Sequence, residues 1–169
     1  MTSAQLLTDG YERVREAVYE AVDGLDEHAL TFRIDPGANT IAWLIWHLTR
    51  VQDDHIADVA GTEQVWTAQD WYGRFGLPLD ERATGYGDGP DEVALVRASA
   101  ESLSGYYDAV HERTLDFVRE LTDADLAEVV DTRWDPPVTL AVRLVSVIAD
   151  DLQHAGQAAY VRGVFDRTR

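Results

Sequence analysis

The sequence predicts an all-α fold, a four-helix bundle with a long crossover connection between its second and third helices. Three observations lead there. Four stretches place apolar residues at three- and four-residue intervals, strand-type alternation is weak everywhere, and one long glycine-rich stretch interrupts the helical pattern. The 169 residues fit a single domain spanning 1–169, and a hydrophobic content of 46% supplies a sizeable core.

In the first helix Leu7, Tyr11, Val14, Val18, Ala21, Val22 and Leu25 share one face, and Gly24 is placed to end it. The turn Pro36-Gly37 precedes a second helix that opens after Asn39, read as its N-cap. Its buried stripe is Ile41, Leu44, Ile45, Leu48, Val51, His55, Ile56 and Val59, and Gly61 closes it. From Thr62 to about Ala98 the periodicity breaks into glycines, prolines and aromatic residues, among them Trp66, Trp71, Tyr72, Phe75 and Tyr86. So much apolar surface is foreign to a free linker, so this crossover is expected to pack over the bundle, covering core or walling a pocket. The third helix follows Ser99, with Leu103, Tyr106, Tyr107, Val110, Thr114, Phe117, Val118 and Leu121 on one face. Asp131 to Pro137 forms a rigid connection, because paired prolines cannot continue a helix. The fourth helix is predicted from about Thr139 to Arg162, with Leu140, Leu144, Val147, Ile148, Asp151, His154, Ala155, Ala158 and Val161 along its stripe.

Composition removes several kinds of chemistry. The chain has no cysteine, hence no disulfide, thiolate ligand or cysteine nucleophile, and any sulfur chemistry must use a thiol from another molecule. All 14 basic residues are arginines, so a Schiff-base lysine and a P-loop lysine are excluded. A net charge of −17 repels phosphate backbones and anionic lipid, which disfavours nucleic acid and membranes as partners. The longest strongly apolar run, Ile41 to Trp46, is too short to cross a bilayer. The stretch Met1 to Leu6 has no cationic segment followed by an apolar run, so no signal peptide is expected and a cytoplasmic location is the default.

Polar residues on faces that should be buried are the informative anomaly. In the fourth helix Asp151 and His154 fall within the apolar stripe and Asp150 lies on its shoulder. Asp150 and His154 are four apart and rise from adjacent turns on one side, a spacing open to a simple ion pair or to metal ligation. On the second helix His47 sits on the shoulder of the stripe near Val51 and Asp54, and His55 lies nearer the stripe and competes for a ligand role. Two imidazoles and one carboxylate would form a three-ligand set with an open fourth position, the arrangement of catalytic zinc. His111 is expected to be packed or half-exposed and His28 solvated. The pair Asp53-Asp54 is read as solvent-facing, with Asp54 a weak candidate for supporting a ligand.

The segment Asn39-Thr40-Ile41-Ala42-Trp43-Leu44-Ile45-Trp46-His47-Leu48 resembles the DinB-like superfamily, as does Asp150-Asp151-Leu152-Gln153-His154-Ala155-Gly156-Gln157. The resemblance extends through Val65-Trp66 and Arg74-Phe75-Gly76-Leu77 to Trp134-Asp135-Pro136-Pro137-Val138, nearly the whole chain. It looks closest to actinobacterial proteins related to mycothiol S-transferases, within a superfamily that includes bacillithiol transferases and the N-terminal domain of mycothiol-dependent maleylpyruvate isomerase. The resemblance implies a four-helix bundle whose metal is held by one histidine of helix two and two ligands at i and i+4 on helix four. Matched residue by residue, these are His47, Asp150 and His154. Many members have histidine where this chain has Asp150, and the isomerase branch has glutamate. The shorter carboxylate leaves open a direct ligand, a water-bridged one, or substitution by Asp151. Gln157 also matches the family pattern.

The resemblance implies a metal-dependent thiol S-transferase that conjugates a low-molecular-weight thiol, mycothiol by this likeness, to electrophilic small molecules. Zinc is the first choice of metal, although nitrogen and oxygen ligands also suit nickel, iron or manganese. Trp66, Trp71, Tyr86 and Trp134 are candidates to line the electrophile pocket. Three rival readings stand beside it: a mycothiol-dependent isomerase, a metal-dependent hydrolase using Asp151 or Asp54 as base, and a non-catalytic metal- or ligand-binding bundle. Expected partners are the small-molecule thiol and the electrophile. A homodimer is the further partner considered, since bundles with spare apolar helix faces often dimerise.

Overall fold

The first helix begins where Thr2 accepts from the Gln5 backbone N–H while Gln5 Oε1 accepts from Thr2, a reciprocal cap that satisfies two otherwise orphaned donors. The computed structural model describes residues 1–168, and this helix, α1, covers Ser3–Val22. It stops two residues short of Gly24, which follows in the left-handed conformation within the turn. A short α2 (Glu27–Leu30) leads to α3 (Ile41–Ala60). The N-cap of α3 is Thr40, whose hydroxyl accepts from the Trp43 N–H at 3.1 Å, and not Asn39; a threonine oxygen satisfies the same need one residue later. Gly61 ends α3 at φ +64°, as the sequence suggests.

The crossover is less irregular than its composition implies. It folds into α4 (Val65–Ala68), α5 (Trp71–Phe75) and α6 (Pro90–Leu95), each too short to show a helical period. Next come α7 (Ala100–Arg119), capped by Ser99, and a short α8 (Asp123–Leu126). Strands β1 (Val129–Asp131) and β2 (Val138–Thr139) then pair antiparallel across the double proline, a hairpin too short to leave an alternating signature. The last helix, α9, runs Leu140–Thr168, one and a half turns past the predicted end.

The four long helices close into a ring, with α3 and α1 each packed on both α7 and α9. The all-α bundle with a long crossover between its second and third long helices is the observed fold. The middle of α3 is its inner wall: every residue from Thr40 to Arg50 is buried, because helices flank it and the crossover covers its remaining face. Trp66, Phe75 and Tyr106 meet in a ring-to-ring cluster beneath that cover. Among the described residues no helix is long and apolar enough to cross a membrane.

Asp53 departs from the sequence expectation. Instead of facing solvent it is buried, accepting from the backbone N–H groups of Val65 and Trp66 and from the Tyr106 hydroxyl, all at 2.8 Å. Two of those donors are the otherwise unsatisfied N-terminal amides of α4, and buried Arg50 lies 3.7 Å away. Burial lifts the Asp53 pKa, against the pull of these donors and Arg50. The carboxylate is the pin that fastens the start of the crossover to α3.

Candidate metal centre

Helical spacing on α9 sets Asp150 and His154 one turn apart, with His154 Nε2 3.7 Å from Asp150 Oδ1. From α3, His47 faces them; the rings of His47 and His154 lie 4.9 Å apart and nearly perpendicular. One ligand atom from each of His47, Asp150 and His154 lies within 4.8 Å of the others, a separation from which a single ion can be shared.

The other ring nitrogens are already engaged. His47 Nδ1 donates to the Thr84 carbonyl, and His154 Nδ1 donates to Gln157 Oε1 at 3.0 Å. Each bond fixes a tautomer whose Nε2 lone pair is free. Burial lowers the His47 pKa, with the nearby His154 acting in the same direction, so the neutral, ligating form is favoured. Asp150 Oδ2 is buried without a hydrogen-bond partner among the described residues, an orphan acceptor facing no donor. Two free imidazole nitrogens and an unsatisfied carboxylate oxygen are a donor set that fits a divalent cation.

The crossover holds this arrangement in place. Its residues 83–88 lie over α3, where the Ala83 carbonyl accepts from Arg50 Nε and the Asp88 carboxylate accepts from Trp43 Nε1, both at 3.0 Å. Trp43 in turn stacks on His47, ring centres 4.6 Å apart. Gly85 sits in the left-handed region at φ +88°, and a Cβ there would come within 2.6 Å of His47 Nδ1. A side chain would collide with the ligand ring, so the crossover can approach His47 only through glycine. Thr84, Gly85 and Trp43 are supports the sequence did not single out; Gly85 among so many glycines gave no distinguishing signal.

A cleft of about 450 Å³ opens beside the trio, bordered by His47, Asp150, Val51, Val142, Val147, Tyr86 and Trp134. Tyr86, 94% exposed, and Trp134 line it as expected. Trp66 does not: it is sealed in the core with Arg50 stacked over its ring at 4.9 Å. Trp71 packs against Tyr106 instead. His55 borders the cleft but lies outside the trio, its Nδ1 3.3 Å from Arg143 Nη1, and burial together with Arg143 lowers its pKa. Arg143 itself is tied to Asp58 and Asp131. Asp54 accepts from Gln64 Nε2 at 2.7 Å, away from the cleft. Asp151 points into the bundle near Tyr11 and Tyr107; fully buried and without a hydrogen-bond partner among the described residues, its pKa is pushed well above the carboxylate range by desolvation and by neighbouring Asp150. Of the two consecutive acids, the geometry brings Asp150 to the histidines.

Comparison with known proteins agrees with this architecture. The chain is similar over 96% of its length to a solved structure described as the conserved protein of locus from Enterococcus faecalis, at 31% identity, covering 96% of that chain with a TM-score of 0.89. No functionally curated protein matches. The model of the DinB superfamily matches residues 11–158, a span that contains α3, the crossover and the part of α9 that carries Asp150 and His154, and the chain belongs to that superfamily.

Proposed function

We propose that the protein is a metal-dependent thiol S-transferase, with His47, Asp150 and His154 as metal ligands and a low-molecular-weight thiol as cosubstrate. One observation carries the reading: a three-residue donor set opens on a cleft walled by aromatic side chains, in a chain that has no cysteine of its own. Bound at these residues, a divalent cation, zinc by preference, would lower the pKa of a thiol at the open position and favour thiolate at neutral pH. His47 and His154, oriented by their Nδ1 bonds to Thr84 and Gln157, would bind as neutral imidazoles, and with one carboxylate leave a net positive centre that suits an anionic sulfur ligand. Trp134 and Tyr86 present flat surfaces on which a planar electrophile can stack, with Val51, Val142 and Val147 as the apolar floor. Mycothiol is the proposed thiol, on the resemblance of the two helical segments.

The hydrolase reading needs a positioned base, and its two candidates are poorly placed: Asp54 is engaged by Gln64, and Asp151 faces the core. The test is direct. Purified protein is expected to carry about one divalent ion per chain, and to conjugate a haloarene only when a thiol is supplied. His154→Ala should lose both the ion and the conjugation while keeping its helical circular dichroism. Absence of metal after reloading, or ester hydrolysis independent of thiol, would rule against the transferase.

A further inference from the structure

Two histidines border the cleft, and the proposed chemistry uses one of them. His47 and His55 stand two turns apart on α3 with Val51 midway, a separation of about 12 Å along the helix axis. His47 marks the metal end. The far end is held by a chain of polar contacts that runs from the hairpin across α9 to α3. Asp131 of β1 accepts from Arg133 Nε and Nη2 at 3.0 and 2.8 Å, and from Arg143 Nη2 at 3.3 Å. Arg143, on α9, reaches on to Asp58 Oδ2 at 3.2 Å and to His55 Nδ1 at 3.3 Å.

This last contact decides where the His55 ring carries its proton. A guanidinium has donors and no acceptor, so Nδ1 must accept, and a neutral ring then has its hydrogen on Nε2. Burial and the Arg143 charge both favour the neutral ring. Nε2 has no hydrogen-bond partner among the described residues, yet it remains reachable by solvent. The nearby carboxylates are otherwise engaged, Asp54 by Gln64 and Asp58 by Arg143. An oriented N–H donor is therefore unused in a residue that lines the cleft. The charges around it balance, because the guanidinium groups of Arg133 and Arg143 meet the carboxylates of Asp131 and Asp58. In a chain of net charge −17, that leaves no surplus positive charge to hold an anion.

We propose that His55 is a specificity-determining residue, whose Nε2–H binds an uncharged carbonyl-type oxygen at the far end of an elongated electrophile. The inference rests on the transferase reading for the position of the reacting carbon, which belongs beside His47 and His154. Between the two ends the cleft is apolar, with Val51, Val142 and Val147 along it and Trp134 and Tyr86 beside it. The body of the substrate is therefore flat and apolar, and its acceptor lies roughly 10 Å from the reacting carbon, set by the spacing of the two histidines. Discrimination follows from desolvation. A substrate with the acceptor satisfies the His55 N–H, whereas one without it displaces water and leaves the donor unpaired.

Three chloronitrobiphenyls provide the test, each with chlorine para to the ring junction and the nitro group beside it. They differ only in the para substituent of the other ring: acetyl, a neutral acceptor; ethyl, no acceptor; or carboxylate, an anion. Conjugation forms a C–S bond and expels chloride with the bonding pair while the thiol proton passes to solvent, so the distal group takes no part in it. Calorimetric titration of the zinc-loaded protein without thiol is expected to show the acetyl compound bound about 5- to 10-fold tighter than the other two. His55→Phe should erase this preference, and His55→Gln, whose amide N–H takes the place of Nε2–H, should restore most of it. With mycothiol supplied, the same ratio should appear in kcat/KM, carried by KM. Equal or undetectable binding of the acetyl and ethyl compounds overturns the inference, as does a preference that survives in His55→Phe. A long-range proton–nitrogen spectrum that shows the His55 hydrogen on Nδ1 overturns it too. Selective binding without conjugation would sink the transferase reading and leave the role of His55 standing, whereas conjugation without selectivity would do the reverse.

Discussion

At the scale of single residues, the molecule engages its histidines in two ways. His47 and His154 have one ring nitrogen fixed by a carbonyl oxygen, which leaves the other for a ligand. His111, on the opposite side of the bundle, is buried among α7 contacts with its Nδ1 unpartnered among the described residues and its Nε2 3.4 Å from Glu12. Burial lowers its pKa, Glu12 opposes that shift and Arg15 reinforces it. A histidine whose folded pKa lies below its unfolded value of about 6.5 takes up its proton more readily when the chain unfolds. Between the two values the unfolded state holds more protons, so stability rises with pH through that window and declines as pH falls below about 6.5, by at most about 1.4 kcal/mol per unit per group. His47 and His55 shift the same way and add to the slope. Urea midpoints measured at about pH 5 and about pH 7 should therefore differ less in His111→Gln than in the native chain. An unchanged difference would mean that His111 titrates alike in both states. Asp53 illustrates what sequence reading misses at this scale: an adjacent pair of acids on a helix is ordinarily solvated, and only the distant amides of Val65 and Trp66 draw this one inward.

At the scale of elements, the decisive piece is the crossover, because its backbone reaches His47 of the candidate metal site. Gly85→Ala tests this. The added methyl would meet His47 Nδ1 at 2.6 Å and the rings of Trp43 and Trp46 at 3.1 Å, on a backbone conformation that alanine rarely adopts. The loop must lift, and with it the Thr84 carbonyl that orients His47. Metal affinity is expected to fall by about 10- to 100-fold while the four long helices keep their circular dichroism, since loss of a ligand's hydrogen-bond partner has effects of that size. Titration with zinc against a competing chelator would measure it, and unaltered affinity would show that the Thr84 contact is dispensable. The four long helices were legible in the sequence because each runs for five or more turns with a recurring apolar stripe. So was the i, i+4 step from Asp150 to His154, while the choice of His47 over the competing His55 came from the family resemblance. The short helices of the crossover were not, since four to six residues carry no period, and neither was the difference between Trp66 and Tyr86. Both are aromatic residues in a glycine-rich stretch; Asp53 and Arg50 pull one into the core while the other is left 94% exposed at the cleft.

At the scale of the whole molecule, 31 acidic residues face 14 arginines, and the surplus must be held on the surface of a small bundle. Individual ion pairs oppose this repulsion only weakly. Arg15 with Asp108 joins α1 to α7 and Arg97 with Glu27 joins α6's end to α2, but all four side chains are substantially exposed, and such pairs contribute about 0–1 kcal/mol each. Salt screens both effects, and with more than twice as many acids as bases the repulsion is the larger one to lose. The Debye length shrinks from about 30 Å at 0.01 M salt to about 8 Å at 0.15 M, from roughly the size of the domain to well inside it. The thermal midpoint of the metal-free protein is therefore expected to rise with added sodium chloride over that range, by several degrees if about 1 kcal/mol of repulsion is relieved. Sodium sulfate at equal ionic strength would strengthen apolar burial as well, so chloride is the cleaner probe. A midpoint that falls with chloride would show that the ion pairs outweigh the net charge.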